Sequence, residues 1–193
     1  MRFDILFFVN SILFGVGLAM DAFSVSIVNG LNEPDMKKKR MCLIAGTFSG
    51  FQIGMPLLGW VFVHTIAETF TAFQKFIPYI ALALLLYIGG KMLIEGLKGE
   101  TEEDKPAVGI SGLMIQGIAT SIDALSVGFT ISDYTFPFAL VEALIIGVVT
   151  YIICMAGLLF GKKFGTKLAG KAGIVGGLIL IFIGLEIFVK SFF

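Results

Sequence analysis

Two aspartates stand where a carboxylate is costly. Asp21 lies in the stretch MDAFSVS and Asp123 in IDALSVG, each inside a run of apolar and small residues. An ionised aspartate at the centre of a membrane helix costs at least about 2.5–3.5 kcal/mol by insertion scales, so it needs water, a cation or a proton to persist. Two such groups could neutralise a divalent cation. Other oxygen donors recur beside them. Gln116, Thr120, Asp123 and Thr130 fall at helical spacing down one face, with Ser126 at its edge. Asn10, Gly17, Asp21 and Ser24 form a thinner version. Carboxylate, carbonyl, hydroxyl and water oxygens suit Mn2+, Mg2+ and Ca2+, whereas the missing intramembrane His and paired Cys argue against a zinc or copper site. Asp21 and Asp123 are therefore the candidate metal ligands. Ser24, Ser126, Thr120, Gln52, Gln116 and Glu186 are candidates for supporting ligands or for the pathway around them. Isolated Ser and Thr are equally at home in interhelical packing or bonded to backbone, and Met20 beside Asp21 reads as packing.

The elements that position these residues are membrane helices. Of the 193 residues 57% are hydrophobic and 15% charged, with 20 Phe, and the mean hydropathy is +0.97, which places the chain in a bilayer rather than in water. A spanning helix needs about 20 predominantly apolar residues. Six segments qualify, at about 5–29, 41–64, 76–97, 108–131, 137–160 and 171–192. The opening stretch carries one Arg and no small-residue cleavage pattern, so it reads as a first transmembrane helix rather than a removable signal peptide. The longest polar stretch, Glu95 to Gly109, leaves no room for a sizeable soluble domain, and nothing indicates nucleic-acid binding, an obligate protein partner or a cofactor. Cytoplasmic loops accumulate Lys and Arg. Eleven of these residues flank the first, third and fifth connections, against Arg2, Lys75 and Lys190 on the other side, so both termini are expected to face outward. KKKR at Lys37–Arg40 then reads as a topology anchor, and the acidic run Glu100–Asp104 as a solvated loop. His64 reads as an interfacial residue, and Cys42 and Cys154 as buried, inert thiols.

The aspartate motif occurs twice, with Asp21, Ala22, Ser24 and Val25 matching Asp123, Ala124, Ser126 and Val127. LYIGGKMLIEG at Leu86 is echoed by IFIGLEIFVKS at Ile181. The expected fold is thus an all-α integral membrane protein of six transmembrane helices in a 3+3 inverted repeat. Residues 1–97 and 108–193 form the halves, and 98–107 form a cytoplasmic acidic linker. Three is odd, so the second half enters the membrane from the opposite side and the aspartates come to corresponding depths near its middle. Gly15, Gly17, Gly46, Gly50, Gly54, Gly89 and Gly90 are expected to allow close helix approach. Pro56 removes one backbone hydrogen bond inside the second helix, with Gln52 one turn before it.

These motifs, with MPLLGW in the second helix and GGKMLIEG in the third, closely resemble the manganese efflux pump family, MntP, over essentially the whole chain. The resemblance implies export of Mn2+ across the bacterial cytoplasmic membrane, with Asp21 and Asp123 as the residues on which transport depends. It also implies kinship with lysine-exporter-like transporters. Some members of the family carry Glu at the position of Gln52 and Gln at that of Glu186, so the acidity of the pathway varies among them. Two other readings of paired membrane aspartates exist. One is export of another cation, such as a cationic amino acid or a different divalent metal. The other is intramembrane aspartyl proteolysis, which the absence of a Gly-x-Gly-Asp context and the symmetry of the motifs disfavour, so no enzymatic activity is expected.

Overall fold

The computed structural model describes residues 4–65, 77–98, 108–131, 133–165 and 172–190. Within a bilayer a backbone must satisfy its own hydrogen bonds, and apolar runs of this length do so as helices. Among the described residues these are α1 (Ile5–Asn32), α2 (Lys38–Thr65), α3 (Ile77–Lys98), α4 (Ile110–Ala119), α5 (Ile122–Thr130), α6 (Phe136–Gly165) and α7 (Ala172–Lys190). Asp4 caps α1 by accepting from the Phe7 amide at 2.9 Å. At the other end Pro34 forbids continuation beyond Glu33. α1, Lys38–Val63 of α2 and Phe136–Phe164 of α6 are each long and apolar enough to cross a membrane, and α4 with the start of α5 meets the same length and composition only as a pair bent by 45°. Large apolar side chains such as Leu13, Val148, Ile152 and Phe182 lie on the outer surface, where lipid rather than water accounts for them.

The helices pack in pairs. α1 lies along α6 in the same direction, since Phe7 meets Phe138 at 5.7 Å between ring centres while Gly161 abuts Ile27 and Gly30 at the far end. α2 runs likewise along α4 and α5, with Gln52 against Thr120 and Trp60 against Tyr134. α3 and α7 run oppositely, Tyr79 meeting Phe188 and Gly89 meeting Gly177. Two close approaches share a register. Gly157 of α6 packs on Phe23 and Ser26 of α1, and Gly59 of α2 packs on Leu125 and Gly128 of α5. Leu125 and Gly128 are the residues equated with Phe23 and Ser26 when Asp123 is equated with Asp21.

The two ends differ in chemistry. At one, Arg40 donates to the Val108 carbonyl and pairs with Glu33 at 3.5 Å, and Lys162 donates to the Met36 carbonyl. At the other, Phe7, Trp60, Tyr134, Phe136 and Phe138 gather, and the Trp60 indole N–H donates to the Tyr134 carbonyl at 2.9 Å. Basic residues at one face and aromatic rings at the other are what membrane interfaces select.

Three expectations change. The segment 108–131 is not one helix but is interrupted at Thr120–Ser121, so the polar stripe through Gln116, Thr120, Asp123 and Thr130 bends at its middle. Of the glycines singled out, Gly15 and Gly89 sit in tight contacts, but a Cβ on Gly17, Gly46, Gly50, Gly54 or Gly90 would meet open space. Small residues permit approach without compelling it, and the closest crossings use Gly30, Gly59, Gly128 and Gly161 instead. Cys154 is buried as expected, but Cys42 is exposed on the outside of α2.

Candidate cation site between two apolar clusters

Two apolar clusters divide the helices into levels. One holds Ala22, Val25, Ile44, Phe48, Ala119 and Cys154, toward the basic end. The other holds Leu18, Ala124, Val127, Ala139 and Ile146, toward the aromatic end. Between those clusters each of these helices carries a polar residue: Asp21 on α1, Gln52 on α2, Thr120, Ser121 and Asp123 at the α4–α5 break, and Thr150 on α6. Gln52, Thr120 and Thr150 are fully or almost fully buried. Asp21 is half-buried and Asp123 is exposed.

Gln52 ties this layer together. Its side-chain amide donates to the Thr120 carbonyl at 2.9 Å and to the Leu18 carbonyl at 3.3 Å. Those carbonyls stand three residues ahead of Asp123 and Asp21 respectively, and the alignment of the two motifs makes them equivalent. One amide thus joins the two aspartate-bearing segments at matching positions. Its Oε1 is buried with no hydrogen-bond partner among the described residues, which leaves a hard oxygen donor unclaimed beside them. Pro56 adds to this, because it cannot donate to the Gln52 backbone carbonyl one turn earlier.

The break follows from local hydrogen bonding rather than from Pro or Gly. The Thr120 hydroxyl donates to the Gln116 carbonyl at 2.9 Å, and that of Ser121 to the Gly117 carbonyl at 2.7 Å. Side chains that bond back to the preceding turn in this way bend helices. Beyond the break Asp123 Oδ1 accepts from the Ala124 amide at 2.9 Å, so its charge sits in the first turn of α5, where the helix dipole favours it. The Thr120 carbonyl is left to Gln52.

The remaining candidates are distributed unevenly. Gln116 forms a reciprocal amide pair with Asn29 of α1, 2.9 Å in one direction and 3.4 Å in the other, so its polar groups are committed to the contact between α1 and α4. The Ser24 hydroxyl donates to the Met20 carbonyl at 3.0 Å. Ser126 is exposed on α5, and Met20 is exposed rather than packed. The side chains of Glu186 and His64 lie outside the described residues. Among the described residues no three of His, Cys, Asp and Glu converge as a metal cluster. From the described residues, a cation at this level would have at most two carboxylates, with amide, carbonyl or water oxygen for the rest of its shell, as suits a hard or borderline divalent ion bound weakly. Sequence reasoning missed Asn29, Thr150 and Glu142. Glu142 is the most informative omission, because the cost argument that singled out Asp21 applies equally to a lone acid in the segment 137–160.

A family model described as "Putative manganese efflux pump" matches residues 35–188. Similar curated proteins carry that same description with the short name MntP. One from Ruminiclostridium cellulolyticum is 41% identical, over 94% of this chain and 95% of its own. Another from Sorangium cellulosum is 39% identical, over 93% and 94%. A third from Methanospirillum hungatei is 38% identical, over 97% and 95%. No solved structure matches.

Proposed function

The chain belongs to the manganese efflux pump family, a family of transporters rather than enzymes, and from that premise we propose that it exports Mn2+ across the cytoplasmic membrane by alternating access around Asp21 and Asp123. The observation that carries the reading is Gln52, whose amide bridges the equivalent carbonyls one turn ahead of each aspartate. Two carboxylates neutralise a divalent ion that neither could hold alone in an apolar surround. The unclaimed Oε1 of Gln52 offers it a further oxygen.

The six-span inverted repeat belongs to the same proposal. The shared register of the Gly157 and Gly59 contacts, and the parallel course of α1 with α6 and of α2 with α5, support two halves at 1–97 and 108–193, joined by 98–107 on the cytoplasmic side. Inverted halves place a site at their common axis near the midplane. The basic end then faces the cytoplasm, the aromatic end faces outward, and both termini are external.

Manganese accumulation in cells loaded with Mn2+ tests the function. Cells expressing the chain are expected to hold less manganese than cells without it, and Asp21→Asn or Asp123→Asn to remove the difference. Equal manganese with and without the wild-type chain overturns the reading.

A further inference from the structure

Glu142 is a buried carboxylate that the export reading does not use. It lies on α6 between Ala139 and Ile146, both members of the outer apolar cluster, and is 1% exposed. Among the described residues its Oε2 has no hydrogen-bond partner. Thr150, which marks the polar layer on the same helix, is eight residues further along, or roughly 12 Å at 1.5 Å per residue. Glu142 therefore stands between the candidate cation site and the outer face.

We propose that Glu142 is a proton-binding residue that couples export of the cation to entry of a proton. The inference rests on the export reading and assigns its counter-ion. A lone carboxylate with apolar neighbours is a poor divalent site, because the ion would keep a net positive charge and lack oxygens to replace its waters. A proton neutralises the same carboxylate completely with one O–H bond. Among the described residues, neighbouring elements supply no fixed cation to do so instead. α1 carries a single charged residue, Asp21, and α5 a single one, Asp123, while α2 carries Lys38, Lys39 and Arg40 at its cytoplasmic start and His64 near its other end. Lys162 and Lys163 stand at the far end of α6. The turn before α6 holds Asp133 and Tyr134. The Tyr134 phenol is pushed above its ordinary value, first by burial and then by the charge of Glu142, so the two side chains sense one another close to the outer surface.

The exchange balances simply. With the site open outward, Mn2+ leaves the aspartates and a proton from external water converts the Glu142 carboxylate to the acid. With the site open inward, the acid returns that proton to cytoplasmic water and the carboxylate is regenerated. One proton enters for each Mn2+ exported through this residue, and one net positive charge leaves. Export therefore rises as external pH falls below internal pH.

The test uses the purified full-length chain in sealed vesicles, with Mn2+ flux and an entrapped pH dye read together. Wild-type vesicles are expected to show proton movement opposite to Mn2+, and Glu142→Gln vesicles to fall to the level of protein-free ones in proton movement while Mn2+–Mn2+ exchange persists. Proton movement in Glu142→Gln equal to wild type overturns the inference, as does wild-type Mn2+ flux with no proton movement; wild type that moves no Mn2+ overturns the export reading instead. Should Glu142→Gln not insert, wild-type labelling by dicyclohexylcarbodiimide decides, since it attacks protonated carboxyls in apolar surroundings. A peptide map with Glu142 labelled, and less so at higher pH, supports the role; no label on Glu142 in active protein overturns it.

Discussion

At the scale of residues, the site depends on which oxygens are committed and which are spare. Asp21→Asn and Asp123→Asn keep shape and lose charge, so each is expected to abolish export while the protein still inserts, as measured by manganese accumulation beside membrane-fraction immunoblots. Ser24→Ala is expected to be mild, because the Ser24 hydroxyl bonds back to its own helix and water can replace a hydroxyl donor to a cation. Gln52→Leu is the sharper case. It deserts the Thr120 and Leu18 carbonyls at a buried position, at a cost of about 1–3 kcal/mol for each buried group left unsatisfied, and removes the spare Oε1 as well. Purified Gln52→Leu is expected to bind Mn2+ more weakly and to melt at a lower temperature than wild type; unchanged binding would take Gln52 out of the site. The aspartates were legible because charge inside an apolar run is conspicuous in one dimension. Gln52 as a bridge was not, since its partners lie on two other helices.

At the scale of elements, the sequence announces apolar runs better than their interruptions. The break at Thr120–Ser121 carries neither Pro nor Gly, and the adjacent hydroxyls that produce it are ordinary residues in any membrane helix until their backbone partners are known. Gly15 and Gly89 sit in close contacts as their spacing suggests, but Gly17, Gly46, Gly50, Gly54 and Gly90 do not, for a related reason: glycine spacing shows where a backbone could approach, not which face has a neighbour. A Cβ on Gly161 would lie 2.2 Å from the Ile27 carbonyl oxygen, and one on Gly59 would lie 2.2 Å from that of Leu125, whereas one on Gly17 would meet nothing within 4 Å. Backbone oxygens cannot turn aside as a side chain can. Gly161→Ala and Gly59→Ala are thus expected to force the α1–α6 and α2–α5 pairs apart, at the roughly 1–3 kcal/mol typical of overpacking. Thermal unfolding in detergent should show both variants destabilised and Gly17→Ala unchanged; a Gly161→Ala protein as stable as wild type would mean that the α1–α6 crossing is looser than it stands here.

At the scale of the whole molecule, the proposed topology makes one claim about five connections and two ends. α1 and α6 run together and α2 runs with α5, so the aromatic residues at the start of α1 and the end of α2 share a face, and the basic residues after α1 and at the end of α6 share the opposite one. Anionic headgroups and the membrane potential hold Lys and Arg at the cytoplasmic face. Arg40 and Lys162 are bonded to backbone carbonyls there, so these two charges are part of the fold and cannot be displaced without unpairing those contacts. Reporter fusions after Lys39, near Glu102 and after Lys163 are accordingly expected to read as cytoplasmic, and fusions at Thr69, at Asp133 and at the C-terminus as external. The decisive comparison is between the Glu102 loop and the C-terminus. Three spans separate them in an inverted repeat, so they must report opposite faces; the same face for both would leave an even number of crossings in the second half, which could then not repeat the three spans of the first about an axis lying within the membrane.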